Sequence, residues 1–160
     1  MLLMPARTSV TSEIAIAVAP EVVWRALTQP TGRRSWLADA VVTSVWDVGS
    51  AVLIDVVLEG QVRHDRGTVL EAVPNARLSY SLWNEVSRRP DTPETRSIVT
   101  FTLAPIDGEG TRLVLVHAGL TAGAAGPHAS FFWPVALARL RDELEDRPGR
   151  PRIKMVEPNG

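Results

Sequence analysis

From Val41 to Ala118 the chain is almost entirely extended in pattern, and nothing else in the sequence constrains its fold as strongly. Six runs, 41–46, 51–58, 62–73, 78–83, 97–103 and 111–118, are rich in β-branched and other apolar residues. Most are separated by short clusters of Gly, Pro, Asn and Asp, the punctuation of consecutive antiparallel hairpins. The longer break at 85–94 holds Arg88, Arg89, Pro90, Asp91 and Pro93; it is too polar and proline-broken for a strand and reads as a surface loop. Upstream, Ile14, Ile16 and Val18 alternate with Glu13, Ala15 and Ala17, which predicts a further strand over 9–18.

Helical signals are few. Pro20 opens a short amphipathic helix over 20–28, with Val23, Trp24 and Leu27 three or four apart. Pro30 opens a second short helix through Trp36, with Arg33 and Arg34 turned outward. The clearest helix comes last: Trp133, Leu137, Leu140 and Leu144 form one apolar stripe, with Arg139, Arg141, Glu143 and Asp146 on the other side. Ser130 is the expected cap, Pro134 falls in the first turn, and Pro148 with Gly149 ends the helix. An antiparallel sheet of about seven strands cannot bury its concave face alone, so the long helix is its natural cover and the class is α+β.

Composition removes several kinds of chemistry. At 160 residues there is material for one domain with a sizeable core, expected over 9–147 between a disordered leader (1–8) and a short basic tail (148–160). A net charge of −1 provides no global field for nucleic acid. No apolar run is long enough to span a membrane. With no cysteine there is no disulfide, thiolate metal site or cysteine nucleophile, and a cytoplasmic location is expected. The one lysine, Lys154, lies in the tail, which argues against Schiff-base and P-loop chemistry. His64, His117 and His128 are too scattered for a ligand set, so no metal and no cofactor are expected.

Two places concentrate polar chemistry. His117 alternates onto the face of Leu113 and Leu115, where it is either a cavity-facing hydrogen-bonding and proton-moving group or a core histidine held by a structural partner. The run Arg63-His64-Asp65-Arg66 interrupts an apolar strand; by alternation Arg63 and Asp65 share one face and His64 and Arg66 the other. Either pair facing inward would make an acid/base or anion-binding group, whereas charges near a hairpin end are ordinarily solvated or paired at the surface. Gly67 is read as a bulge, which leaves the inward pair open.

Several words of the sequence resemble one family: APEVVWRALTQP at 19–30 followed by Trp36-Leu37, GTVLEAVPNARLSY at 67–80, SIVTFTLAP at 97–105, GTRLVLVHAGL at 110–120 and WPVALARLRDELED at 133–146. Their order is similar to the SRPBCC (START-like) superfamily, in the subgroup named for the activator of the ninety-kilodalton heat-shock protein's ATPase. The resemblance implies the helix-grip fold, a curved sheet around the carboxy-terminal helix after two short helices, with a cavity between sheet and helix. It places the cavity entrance near Trp36, Phe132 and Trp133, implies further lining by Tyr80, Phe101, His117 and Leu137, and makes the small-residue stretch 119–126 an access gate. The leading reading is then a module that binds a small hydrophobic molecule. The alternatives are a cyclase- or hydrolase-type enzyme using His117 or Asp65 with Arg63, and a cochaperone-like interaction domain. Homodimerisation is common among look-alikes.

Overall fold

The computed structural model describes residues 7–121 and 125–146. Eight strands form one antiparallel sheet: β1 (Arg7–Ile16), β2 (Thr31–Arg34), β3 (Ala40–Thr43), β4 (Ala51–Leu58), β5 (Gln61–Val73), β6 (Arg77–Leu82), β7 (Ser97–Ile106) and β8 (Gly110–Thr121). Their spatial order is β1-β8-β7-β6-β5-β4-β3-β2, so each strand after β2 pairs with its predecessor and β1 closes onto β8. Helix α1 (Pro20–Leu27) joins β1 to β2, and α2 (Ala125–Glu145) lies across β1, β8 and the turn at Ser35–Leu37. This is an α+β helix-grip fold. None of the described helices is long and apolar enough to cross a membrane.

Alternation builds the core. Val52 and Ile54 of β4, Val69 of β5, Leu78 and Tyr80 of β6, Val99, Phe101 and Leu103 of β7, and Leu113, Leu115 and His117 of β8 are all buried. Against them α2 sets Ala129, Trp133, Ala136 and Leu140, spaced three or four apart, with Leu137 beside Ala136, and α1 sets Val23 and Leu27. Burial of each large aliphatic or aromatic side chain contributes about 1.5–3 kcal/mol, so this inner face is the main stabilising element. The outer face is mixed; Leu53, Val57 and Val62 are exposed there, the last two paired across the β4–β5 hairpin.

Three expectations need correction. The segment 30–36 is strand followed by a single 3-10 turn, not a second helix: Thr31 pairs with Thr43 through their hydroxyls at 3.0 Å, and Arg34 pairs with Ala40. A β-branched Thr and a Gly are weak helix formers, and a neighbouring strand edge offers them better bonds. The sheet therefore has eight strands rather than about seven. Second, strand alternation turns Arg33 out but Arg34 in, where it is 3% exposed. Third, α2 starts at Ala125, so Ser130 is inside the helix rather than its cap, and Pro134 is an interior proline with no N–H to offer the Ser130 carbonyl.

The segment 85–94 is a surface connection with short 3-10 turns at Glu85–Ser87 and Pro93–Thr95. Asp91 anchors it, accepting from Arg66 Nε at 2.6 Å and from Arg96 Nε and Nη2 at 2.7 and 2.9 Å. These guanidinium partners, Arg96 first, hold the Asp91 carboxyl well below the usual carboxylate range. β1 begins at Arg7, which pairs with Thr121. Of the expected leader, gate and tail, residues 1–6, 122–124 and 147–160 lie outside the described residues.

Candidate functional site

The side chains expected to line a cavity do converge. Phe101 is their centre: its ring is edge-on to Trp36 at 6.4 Å and to Trp133 at 6.0 Å, and tilted against Tyr80 at 6.5 Å. Trp133 in turn meets Phe132 at 5.1 Å and His117 at 5.9 Å, both edge-on. These are ordinary separations for attractive aromatic pairs, so the rings touch one another. Leu137 is buried beside them on α2. Trp46, taken from sequence as a strand residue, extends the run beyond Tyr80 at 6.2 Å. It follows the end of β3 and sits at φ 62, with its indole N–H donating to the Gln29 carbonyl at 2.9 Å.

His117 has no free nitrogen. Trp133 Nε1–H donates to Nδ1 at 3.1 Å, so Nδ1 is the unprotonated nitrogen. Nε2 then carries the hydrogen and donates to Ser97 Oγ at 2.8 Å. Burial pushes the imidazolium down to about 4, so the ring is neutral at pH 7. This chain ties β7 and β8 to α2, and it fills both positions that acid/base work at His117 would need.

A pH dependence follows from that neutral ring. The folded pKa is below the unfolded one, so between about pH 6.5 and 4 the unfolded chain binds the extra proton and stability falls with falling pH. The contribution from His117 is about 3 kcal/mol across that window. In an NMR titration the His117 ring should hold its neutral chemical shifts until the pH approaches 4. A midpoint near 6.5 would mean that the Trp133–His117–Ser97 chain is not formed.

The charged run of β5 divides by alternation. His64 and Arg66 lie on the outer face: His64 Nδ1 contacts Asp55 at 2.7 Å, and the Arg66 guanidinium lies over the Trp83 ring at 4.6 Å. Arg63 and Asp65 are half-buried on the other face. Asp65 accepts from the Glu85 N–H at 2.9 Å and from the Asn84 amide at 2.8 Å, while burial raises its carboxyl above the ordinary value. Both oxygens therefore hold the loop after β6. Arg63 Nε is buried without a hydrogen-bond partner among the described residues. His117 shares a cross-strand row with Val99, Tyr80 and Val69, so Asp65 lies three strands away and four residues further along. At about 4.8 Å per strand and 3.3 Å per residue, the separation is on the order of 15–20 Å along the sheet. The structure does not bring these groups into one site.

A hollow of about 450 Å³ opens between the turn at Ser35–Leu37 and the second half of α2, lined by Ser35, Trp36, Asp39, Arg139, Asp142, Glu143 and Asp146. Trp36 belongs both to this hollow and to the ring cluster. The rim is mostly acidic. Ser35 and Glu143 are hydrogen-bonded across it, and burial, with the Asp39 charge adding, raises the Glu143 carboxyl. Ala38 and Asp39, both left-handed at φ 53 and 58, turn the chain back at its edge. Of the residues expected to line a cavity, Trp36 alone borders this hollow. Sequence reasoning missed the rim because the helix read into 30–36 hid the tight turn at 35–39.

The family model for activator of Hsp90 ATPase homolog 1-like proteins matches residues 17–145. The chain belongs to that family. Among solved structures, ChR145 from Cytophaga hutchinsonii superimposes with a TM-score of 0.72 at 24% identity, covering 90% of this chain and 97% of that one. Protein MLL2253 from Mesorhizobium loti is 31% identical with a TM-score of 0.66, covering 88% and 98%. The Aha1 dimer from Colwellia psychrerythraea matches at 22% identity with a TM-score of 0.68, covering 89% and 99%. No curated protein matches the sequence. Family membership supports a ligand-binding or cochaperone-like domain.

Proposed function

We propose that this activator-family domain binds a small hydrophobic molecule, taken in at the hollow beside Trp36 and held against the rings of Phe101, Tyr80, Phe132 and Trp133, with Leu137 as the aliphatic wall and His117 fixing Trp133. The observation that carries this reading is the double membership of Trp36. One residue is the apolar member of the lining of a 450 Å³ hollow and is edge-on to the centre of the aromatic cluster at 6.4 Å. The hollow's volume falls within the range of ligand sites, about 300–1,000 Å³, and the apolar walls such sites need are those of the ring cluster behind Trp36 rather than of the acidic hollow itself. Trp36 lies in the 3-10 turn between β2 and β3, so turning its ring away from Phe101 to open the cluster to the hollow would break no strand pair. Acid/base catalysis is the weaker reading, since His117 and Asp65 have their polar atoms engaged by the protein.

Native mass spectrometry of freshly purified protein tests the proposal. A noncovalent small-molecule adduct that organic extraction removes is expected for the wild type and should be lost from Trp36→Ala. A bare-chain mass for the wild type, combined with unchanged tryptophan fluorescence on titration with decanoate and 1-naphthoate, would contradict it.

A further inference from the structure

Arg34 is a buried cation with no counter-charge among the described residues. Its Nη1 donates to Gln29 Oε1 and its Nη2 to the Gln29 carbonyl, both at 2.8 Å, and both acceptors are neutral. No carboxylate of the described residues lies within ion-pair distance of it, although Asp91, Glu71, Glu13 and Asp142 each pair with other arginines. A guanidinium has five N–H donors, of which Gln29 takes two. A buried charge with no opposite partner is costly, and folds ordinarily supply a carboxylate.

Trp46 links Arg34 to Tyr80: the Trp46 indole N–H donates to the same Gln29 carbonyl that Arg34 Nη2 uses, and the Trp46 ring stands 6.2 Å from the Tyr80 ring. Tyr80 is 5% exposed, and its hydroxyl makes no hydrogen bond among the described residues. Burial lowers the Arg34 guanidinium while Tyr80 acts to raise it; burial raises the Tyr80 phenol while Arg34 acts to lower it. Tyr80 is also a member of the ring run, between Trp46 and Phe101. Spare donors of a cation and a phenol thus lie at one end of an apolar aromatic series, with Trp133 towards the other.

We propose that Arg34 and Tyr80 bind the carboxylate of an amphipathic acid whose apolar body lies against Phe101 and Trp36. The inference rests on the binding reading above and names the class of ligand it takes. A planar guanidinium offers paired N–H donors that match a carboxylate's two oxygens, and the phenol adds a third donor. The ligand then supplies the missing counter-charge. The acidic rim of the hollow opposes an anion only weakly, because charges facing solvent are screened by salt.

The test compares acids with their neutral isosteres. Decanoate against decanamide, and 1-naphthoate against 1-naphthamide, are titrated into the full chain at pH 7.5 by calorimetry. Each acid is expected to bind at least about tenfold more tightly than its amide, as suits a charge-assisted hydrogen bond. Arg34→Gln should abolish that preference while keeping amide binding, and Tyr80→Phe should reduce it severalfold. Thermal unfolding reports whether each variant folds, and the wild-type comparison stands even if Arg34→Gln does not. Equal or tighter binding of the amides overturns the anion assignment and leaves the hydrophobic-binding reading intact. Binding of none of the four compounds overturns both.

Discussion

Trp133→Ala should be among the most damaging single substitutions in this protein, lowering stability by about 3–5 kcal/mol and the unfolding midpoint by roughly 6–20 °C. Trp133 is 4% exposed and packs edge-on against Phe101, His117 and Phe132. Truncation removes that packing and opens a cavity under α2. It also leaves His117 Nδ1 buried without its donor. Trp133→Phe separates the two contributions: it keeps most of the apolar volume but loses the indole N–H, and should cost about 1–3 kcal/mol. Chemical denaturation of the two variants checks the order. A cost for Trp133→Ala below that of Trp133→Phe would mean that the ring cluster is not the joint between helix and sheet.

Gly67→Ala should be at least as severe, for a purely steric reason. A Cβ built on Gly67 would lie 1.7 Å from the Ser81 carbonyl oxygen, a backbone atom of the neighbouring strand that cannot rotate away. The adjoining Arg66–Trp83 bridge holds that spacing with reciprocal bonds of 3.1 and 2.7 Å. One methyl group must therefore force β5 and β6 apart, and the expected cost is more than about 4 kcal/mol, or failure to fold. Gly108→Ala is the control. It places a Cβ in open space, although its φ of 88 carries backbone strain, and should cost only about 1–2 kcal/mol. Parity between the two variants in thermal unfolding would show that the close approach at Gly67 is absent.

Much of this architecture was legible in the sequence, because hairpin punctuation and alternation act locally. The strands from 51 to 118, α1, and the stripe of α2 were read from spacing alone. The resemblance supplied the helix-grip arrangement and the ring set around Phe101. Three features were not legible, each for an identifiable reason. The two prolines at 20 and 30 look alike, but only the first begins a helix; the second precedes a Thr-Gly pair that bonds to β3, a partner that local propensity does not see. Reading that segment as helix sent Arg34 to the surface, whereas strand parity alone would have placed it inside. The bulge expected at Gly67 occurs instead at Leu70, between Val69 and Glu71, and Gly67 serves close strand approach. Parity grouped His64 with Arg66 and Arg63 with Asp65 but left the inward pair open; the structure turns His64 and Arg66 outward and leaves Arg63 and Asp65 on the half-buried face.

The five tryptophans provide the most direct test of whether a ligand reaches the ring cluster through Trp36. Their indole N–H signals can be followed separately in a 1H–15N correlation spectrum during titration with decanoate or 1-naphthoate. The account predicts that the Trp36 and Trp133 signals move together and saturate, while Trp83, bonded to the Arg89 carbonyl on the outer surface, stays fixed. Movement of Trp83 alone, or of no indole signal with either compound, would contradict it.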